Sequence, residues 1–413
     1  MQTTFTLLLS PLSKYLKVQS EEIEKQAGSR HLFYEDFIKV LIYGMSIKII
    51  SRRKLVLDLA SNASTLKLGL KALPLSTLKD GFSRFNYKLI SKLYTYLLST
   101  INFEEVPDLK ELGIFKLVDG SLFPTLISVD WAVYKKHKNS IRLHLSFCLN
   151  TLTPSEFLVA KGNSCERSFL KSIVEKSITY IADRGYFSFD LAAFIAKSEA
   201  FFIFRLKDNM IFEIKEHLVL SAGKHIFPIC FGQITDCLIV FTNDPHLNSY
   251  RLVRFQVLNS HFSICTNRLD LNTLQIITCY AFRWQVELFF KFIKRTLNGI
   301  QLFSTSENGA QIHFLIVLIT ALLQIHLKQS CLKKCQAIGE QNKKENAGFS
   351  IQKITQKNEQ SNQYNGLCPD RWIQNIAEIF QNNFKISSDW LFYLKNYIAQ
   401  EVDFQIINLL AVT

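Results

Sequence analysis

Two short apolar runs in the middle of the chain each end in an aspartate, and they constrain the fold more than any other feature. GIFKLVDGS carries Asp119 followed directly by a glycine, and KSITYIADRGY carries Asp183 with a glycine two residues later. Short apolar runs bounded by turn residues are typical of buried strands. In α/β folds, ligand-binding side chains lie where strands leave the sheet. We therefore expect each aspartate at the exit of a strand.

The segments around these runs alternate between strand-like and helical patterns. SIRLHLSFCLN (140–150) alternates as a strand does, a helical stretch occupies 190–200, and FFIFRLK (201–207) again has the pattern of a strand. Strands alternating with helices favour an α/β domain with a mixed sheet. Residues 208–265 hold several short strand-like runs, which predict a β-rich insertion.

The two ends of the chain have other patterns. Residues 1–105 have apolar positions at three- and four-residue spacing, which predicts an all-helical domain. Its Lys and Arg suit DNA binding, and packing or dimerisation explains such a domain equally well. We expect the catalytic domain over 106–330. Residues 338–366 are rich in Gln, Asn and Lys, which indicates a polar linker, and 370–413 form a last helical segment.

Charge and composition narrow the class of protein. The chain of 413 residues has 48 Lys and Arg against 35 Asp and Glu, a net charge of +13, which favours a polyanionic partner. Nine scattered cysteines indicate reduced thiols. Because no apolar stretch is long enough for a membrane span, we expect a cytoplasmic protein, associated with the nucleoid and not with a membrane.

A helical stretch near residue 280 carries its polar residues on one narrow stripe. At about 100° per residue, Tyr280, Arg283, Glu287 and Lys294 share an arc of about 60°, and apolar residues occupy the other side. A solvated face with an ordinary salt bridge explains this helix alone equally well. The two strand-end aspartates favour a site instead, since two aspartates and a glutamate can gather around a pair of divalent cations.

The same residues resemble a known family. The spacing Tyr280-x2-Arg283-x3-Glu287-x6-Lys294, within YAFRWQVELFFKFIK, is similar to the Y-R-E-K signature of DDE transposases of the insertion-sequence-four type. VDGSLF resembles the segment around that family's first aspartate, and IADRGYFSFD, with its D-R-G-Y motif, the segment around its second. The resemblance covers about 75–330.

This resemblance implies an RNase H-like fold, cleavage of double-stranded DNA at the terminal inverted repeats of an element, and strand transfer into target DNA. It implies a homodimer that bridges two element ends in a synaptic complex. It also implies two Mg²⁺ ions, for which Mn²⁺ can substitute. The implied metal ligands and catalytic residues are Asp119, Asp183 and Glu287, and the implied DNA contacts are Tyr280, Arg283, Lys294 and Arg184.

The chain departs from the family pattern in one respect. Some relatives cleave through a DNA hairpin and stack a flipped base on a tryptophan in the insertion. None of the four tryptophans here lies in 208–265, so Phe231 or Tyr250 would have to take that role.

Two other functions remain open. One is a sequence-specific DNA-binding protein whose RNase H-like domain is catalytically dead or domesticated. The other is a metal-dependent nuclease that cuts without joining strands.

Overall fold

The computed structural model describes residues 3–27, 32–106, 109–125, 129–135, 138–219, 234–257, 260–297 and 299–347. The chain forms two compact units, one of residues 1–104 together with 291–413, and one of residues 105–290. The second unit ends at 290, whereas the predicted catalytic domain continues to 330. The predicted division into functional domains therefore stays a prediction.

The first hundred residues are helical, as the apolar spacing predicts. The helices are α1 (Thr4–Ala27), α2 (Tyr34–Ser46), α3 (Arg52–Ser61), α4 (Ala63–Lys67), α5 (Leu75–Arg84) and α6 (Tyr87–Thr100). Side chains cap three of them: Ser51, Asn62 and Asn86 each accept a hydrogen bond from a backbone N–H in the first turn of the next helix. Such caps pair backbone donors that the helix itself leaves free.

A single sheet organises the second unit. Its strands are β1 (Ile114–Thr125), β2 (Val133–Lys135), β3 (Lys138–Cys148), β4 (Thr153–Lys161), β5 (Ile178–Ala182), β6 (Phe201–Arg205), β7 (Phe212–His217), β8 (Thr235–Phe241), β9 (Ser249–Val257) and β10 (Ser260–Thr266). Among the described residues the strand order is β2-β3-β1-β5-β6-β10-β9-β8-β7, and β4 also pairs with β3, on the edge that faces away from β1.

Three neighbouring strands of this sheet are parallel and the rest are antiparallel. β5 pairs in parallel with both β1 and β6, and β10 joins β6 antiparallel. The predicted mixed sheet is thereby confirmed, with helices before it. The strands of the predicted insertion, β7 to β10, continue this sheet directly beyond β6.

Among the described residues, four helices lie between the strands of the sheet or directly after its last strand. They are α7 (Glu166–Ser172), α8 (Phe189–Lys197), α9 (Thr273–Ala281) and α10 (Trp284–Arg295). Ser188 caps α8, and Asn272 with Gln275 forms a capping box at the start of α9. α7 and α8 lie in the crossover regions that join the parallel strands, as right-handed α/β units require.

A long apolar helix, α11 (Glu307–Ala347), lies in the first unit and packs against α1, α2, α5 and α6. Its segment Glu307–Cys331 has the length and hydropathy of a membrane span, but 89% of the apolar window is buried inside the protein. The helix includes the first ten residues of the predicted linker, 338–347. The rest of that linker and the predicted helical segment 370–413 lie outside the described residues.

Candidate active site

The register of the central strands brings Asp119 and Asp183 side by side. Asp183 directly follows β5, as predicted, but the prediction that Asp119 lies at a strand exit is wrong, because β1 continues past it to Thr125 and pairs with β3 over that length. β1 and β5 are parallel, and their Cα partners run from Ile114 opposite Ile178 to Leu117 opposite Ile181. Two residues further along the same register, Asp119 comes opposite Asp183, which directly follows the last residue of β5. In-register neighbours of parallel strands project from the same face. Both carboxylates therefore lie just beyond the stretch over which β1 and β5 pair.

Asp119 lies in a partly buried, acidic environment. Its Oδ1 accepts a hydrogen bond of 2.8 Å from the backbone N–H of Gly120. The pKa of Asp119 is raised to about 6, chiefly by burial and also by the carboxylates of Glu166 and Glu287, while the Gly120 N–H and Arg283 oppose the rise. These influences place one carboxylate on α10 and one on α7 within electrostatic range of Asp119.

The stretch that carries the polar stripe consists of two helices in succession. α9 ends at Ala281, Phe282 and Arg283 form a turn, and α10 begins at Trp284. The backbone stays close to helical through this turn, since Phe282 has φ −67° and ψ −12°. The angular spacing of the stripe therefore survives the break.

The turn brings Tyr280, Arg283 and Glu287 into contact with each other and with Asp183. Arg283 donates to Glu287 Oε1 at 2.7 Å, and its guanidinium carbon lies 5.9 Å from the centre of the Tyr280 ring. The Tyr280 hydroxyl donates to Asp183 Oδ1 at 3.3 Å. Burial and the charge of Asp183 raise the pKa of Tyr280 to about 12, so this phenol stays protonated and remains a donor.

These contacts join the three acids through neutral and cationic neighbours. Asp183 faces Tyr280, Glu287 faces Arg283, and Asp119 is influenced by both Arg283 and Glu287. Within the described ranges, no three His, Cys, Asp or Glu side chains lie close enough together to enclose a metal ion. The three carboxylates therefore share one region without forming a closed coordination shell.

The sequence model of the family described as "Transposase DDE domain" matches residues 113–323, about half of the chain. The chain belongs to this family. The matched region contains Asp119 and Asp183 together with Tyr280, Arg283, Glu287 and Lys294 of the α9–α10 stretch. Members of this family use divalent metal ions.

Two curated proteins are similar to this DDE-domain chain. One, from Geobacillus stearothermophilus, is named as the probable transposase of insertion sequence element IS5377 and is 22% identical over 248 residues, 58% of this chain and 64% of that protein. The other, from Sinorhizobium fredii (strain NBRC 101917 / NGR234), is named as a candidate transposase, y4zB, and is 23% identical over 219 residues, 52% of this chain and 61% of that protein. The chain thus matches less than two thirds of the length of each.

The remaining two residues of the predicted DNA-contacting set, Lys294 and Arg184, lie on α10 and in the D-R-G-Y turn. Lys294 is in the last turn of α10, on the same face as Glu287 and about 10 Å further along the helix axis. Arg184 directly follows Asp183 in the D-R-G-Y turn, where the Tyr186 N–H donates to the Asp183 carbonyl at 3.0 Å. The Arg184 guanidinium lies 3.4 Å from Asp208.

Arg184 also lines a cavity of about 330 Å³ beside this turn. Two further basic residues, Arg167 and Lys207, contribute to its wall, and both are exposed. Phe187, Phe189, Met210 and Pro245 supply most of its apolar surface. Basic side chains beside aromatic ones are typical of surfaces that contact a nucleic-acid strand.

Sequence reasoning missed one acid at this site and selected one aromatic wrongly. Glu166, which raises the pKa of Asp119, lies in a polar stretch that has no periodic signal. Tyr250 is only 4% exposed, and its hydroxyl donates to Asp244 at 2.9 Å. Tyr250 is therefore a core residue and presents no face on which a base could stack. The other aromatic considered, Phe231, lies outside the described residues.

Proposed function

We propose that this chain is the transposase of a bacterial insertion sequence, which cuts DNA at the terminal inverted repeats of its element and transfers the cut strands to target DNA. The observation that carries this proposal is the adjacency of Asp119 and Asp183 on parallel strands, with Glu287 within electrostatic range. The family supports the same chemistry.

We assign Asp119, Asp183 and Glu287 as the ligands of two Mg²⁺ ions, which Mn²⁺ can replace. The donor set fits, because hard cations prefer carboxylate oxygens and leave coordination sites to water and phosphate. The raised pKa of Asp119, near two other carboxylates, is also what a region built to receive cations would have. When bound, such metal ions activate the attacking oxygen and stabilise the leaving one in phosphodiester displacement.

The basic residues around the acids hold and orient the DNA strand. Arg283 keeps Glu287 turned towards itself at 2.7 Å, and on DNA binding the guanidinium moves its hydrogen bonds to a phosphate. Tyr280 orients Asp183 through its hydroxyl. Lys294 and Arg184 bind the sugar-phosphate backbone on either side of the cut.

The partners follow from this chemistry. The net charge of +13 favours double-stranded DNA, both as element ends and as target. We propose that a homodimer bridges two ends in a synaptic complex, with the helical residues 1–105 binding DNA or mediating dimerisation. Such a protein acts in the cytoplasm, at the nucleoid, without a membrane partner.

The test uses purified full-length protein and a duplex carrying one inverted repeat, identified in the DNA that flanks the gene. We expect nicking at the repeat boundary only when Mg²⁺ or Mn²⁺ is added. Glu287→Gln should lower the nicking rate by more than about 100-fold, because loss of even an outer-shell partner of a metal costs 10–100-fold. It should leave DNA affinity unchanged.

A matched control is Glu199→Gln. Glu199 is exposed and pairs with Lys176. Its backbone carbonyl accepts a hydrogen bond from the Ser177 N–H just before β5 begins, so it lies at the opposite end of β5 from Asp183. This variant should nick at the wild-type rate. Equal nicking by Glu287→Gln and wild type would refute the assigned acids.

The same assay separates the two competing functions. Detection of strands joined to target DNA distinguishes a transposase from a nuclease that only cuts. Sequence-specific binding without any cutting, in both Mg²⁺ and Mn²⁺, would identify a catalytically dead DNA-binding protein instead.

A further inference from the structure

A fourth carboxylate lies between β1 at Gly120 and the turn that follows Asp183. Glu166 is the first residue of α7. A Cβ placed on Gly120 would lie 3.1 Å from its Oε1, and a Cβ placed on Gly185 would lie 3.6 Å from its Oε2. Gly120 directly follows Asp119, and Gly185 is two residues after Asp183. The Glu166 carboxylate therefore lies beside both Gly120 and Gly185, the glycines that follow the two aspartates.

An arginine on the neighbouring strand holds this carboxylate. Arg142 of β3 donates through Nη1 to Glu166 Oε1 and through Nε to the Gly162 carbonyl at 3.0 Å. The two side chains are only 16% and 28% exposed, so solvent weakens the pair little. β3 pairs with β1, and Arg142 lies opposite Leu122 in that register. Glu166 is therefore anchored to the strand that neighbours the one carrying Asp119.

The other polar groups nearby do not replace Arg142 as a cation. His144 lies opposite Gly120, and its Nε2 is 2.7 Å from the Ser164 hydroxyl. Burial, with the charge of Arg142, lowers the pKa of His144 to about 4, so the ring is neutral near pH 7. Tyr186 is buried, and burial with the charges of Asp119 and Glu166 raises its pKa, so the phenol is neutral as well.

We propose that Glu166 is a positioning residue for Asp119 and Asp183: anchored by Arg142, it sets the spacing between β1 at Gly120 and the turn after Asp183, and so the separation of the two aspartates. The inference rests on the proposed function, since it concerns the same acids. It also accounts for the glycine at 120, where a Cβ would lie 3.1 Å from Glu166 Oε1 and 3.3 Å from His144 Nδ1, so that these groups would have to shift by a few tenths of an ångström.

The experiment measures Mn²⁺ binding by full-length protein without DNA, using electron paramagnetic resonance to count free Mn²⁺, alongside the thermal midpoint of unfolding. Glu166→Gln should weaken Mn²⁺ binding by about 10–100-fold, the usual cost of losing an outer-shell partner. Arg142→Gln should do the same, because it keeps the carboxylate but removes its anchor. If Glu166 were itself a ligand, Arg142→Gln would leave the affinity unchanged or increase it.

Two glycine variants give a matched comparison. Gly120→Ala should weaken Mn²⁺ binding as Glu166→Gln does, while preserving the backbone hydrogen bond to Asp119. Gly185→Ala should retain wild-type affinity, because its 3.6 Å contact is an ordinary van der Waals distance. Combining Gly120→Ala with Glu166→Gln should cost no more than either change alone, since both act through one carboxylate.

The outcomes separate this inference from the proposed function. Wild-type Mn²⁺ affinity in Glu166→Gln, or a loss matched by Gly185→Ala, would overturn the positioning role. A loss that appears only together with a lower unfolding midpoint in both Glu166→Gln and Arg142→Gln would assign the pair to stability alone. If Glu287→Gln also binds Mn²⁺ as the wild type does, the proposed metal site itself is wrong.

Discussion

Two arginine–carboxylate pairs in the second unit have the same chemistry and opposite degrees of completion. In the first, Arg251 donates to both oxygens of Asp236 at 2.9 and 2.7 Å and to the carbonyls of Leu271 and Arg268 at 2.6 and 3.2 Å. Thr273 donates to the same aspartate at 2.7 Å. The side chains are 6% and 0% exposed, so this network is closed to solvent and ligands.

The second pair, Arg283 with Glu287, is left open. It makes a single hydrogen bond of 2.7 Å, its side chains are 14% and 30% exposed, and the buried Nε of Arg283 has no hydrogen-bond partner in the described part of the chain. Tyr280 and Asp183 next to it are joined by a bond of 3.3 Å.

This difference separates a structural ion pair from a functional one. A buried charge network stabilises a fold only when every donor and acceptor is used. Unused donors and acceptors at a half-buried ion pair lower stability. The unused N–H groups can donate to a phosphate, and the carboxylate oxygens can bind a cation. The open pair should therefore contribute little to folding and much to activity.

The largest expected effect is the loss of the closed network. Arg251→Met leaves Asp236 buried without its cation and should lower the free energy of unfolding by about 3–5 kcal/mol. Urea denaturation followed by circular dichroism measures this change. The control is Arg254→Met on the same strand, where the side chain is exposed and the cost should stay within about 0.5 kcal/mol. Similar losses in both variants would contradict the distinction.

A smaller effect of opposite sign is expected at Asp119. Its pKa in the folded protein, about 6, lies above the unfolded value, so the ionised carboxylate destabilises the metal-free fold. This penalty is absent below about pH 4, grows as the pH rises, and is complete above about pH 6. Asp119→Asn should therefore raise the free energy of unfolding at pH 8 by about 1–2 kcal/mol.

Asp270 supplies the opposite control for that measurement. Its pKa is lowered, chiefly by its hydrogen bonds from Arg268, so its contribution is stabilising above the unfolded pKa and is lost as the pH falls. Asp270→Asn should lower stability at pH 8, and this loss should shrink as the pH falls below about 4. A gain for Asp270→Asn, or none for Asp119→Asn, would reverse the assignment of the two environments.

The sequence predicts the acids and the polar stripe of the site better than it predicts the residues that hold them in place. Asp119 and Asp183 each end an apolar run, and this local pattern locates both acids on the central strands. Only Asp183 lies at a strand exit, because the polar half of β1 continues past Asp119 to Thr125 by pairing with β3. The stripe of Tyr280 and Glu287 also follows from spacing, although the helix breaks after Ala281, because the turn keeps a near-helical backbone.

What the sequence could not predict depends on contacts between distant segments. Glu166 accepts a hydrogen bond from Arg142, 24 residues away in the chain. It lies beside Gly120 and Gly185 only because β3, β1 and β5 pair in one sheet. The pairing of β6 with β10 likewise joins segments about 60 residues apart. The polar composition of 338–347 indicates a linker, yet its Glu, Gln, Lys and Ala are good helix formers and continue α11.

The open pair itself should tolerate substitution. Arg283→Gln removes one hydrogen bond and a partly exposed ion pair, so the free energy of unfolding should change by about 1 kcal/mol or less. Nicking of the inverted-repeat duplex should nevertheless fall, since the guanidinium no longer meets the phosphate. A loss of stability as large as that of Arg251→Met, measured in the same urea titration, would make this pair structural too.

The smallest effect concerns the basic rim beside Asp183. Lys207 is exposed and lines the cavity with Arg167 and Arg184, so we expect it to neutralise one phosphate. Lys207→Gln should reduce the slope of log affinity for DNA against log salt concentration by about 1, without changing sequence preference. Fluorescence anisotropy between 50 and 200 mM salt measures the slope, an interval chosen because counterion release is readily detected there. The control is Lys176→Gln, at a residue that lies before the start of β5 and pairs with Glu199; it should leave the slope unchanged. Equal slopes for the wild type, Lys207→Gln and Lys176→Gln would show that the basic rim does not contact DNA.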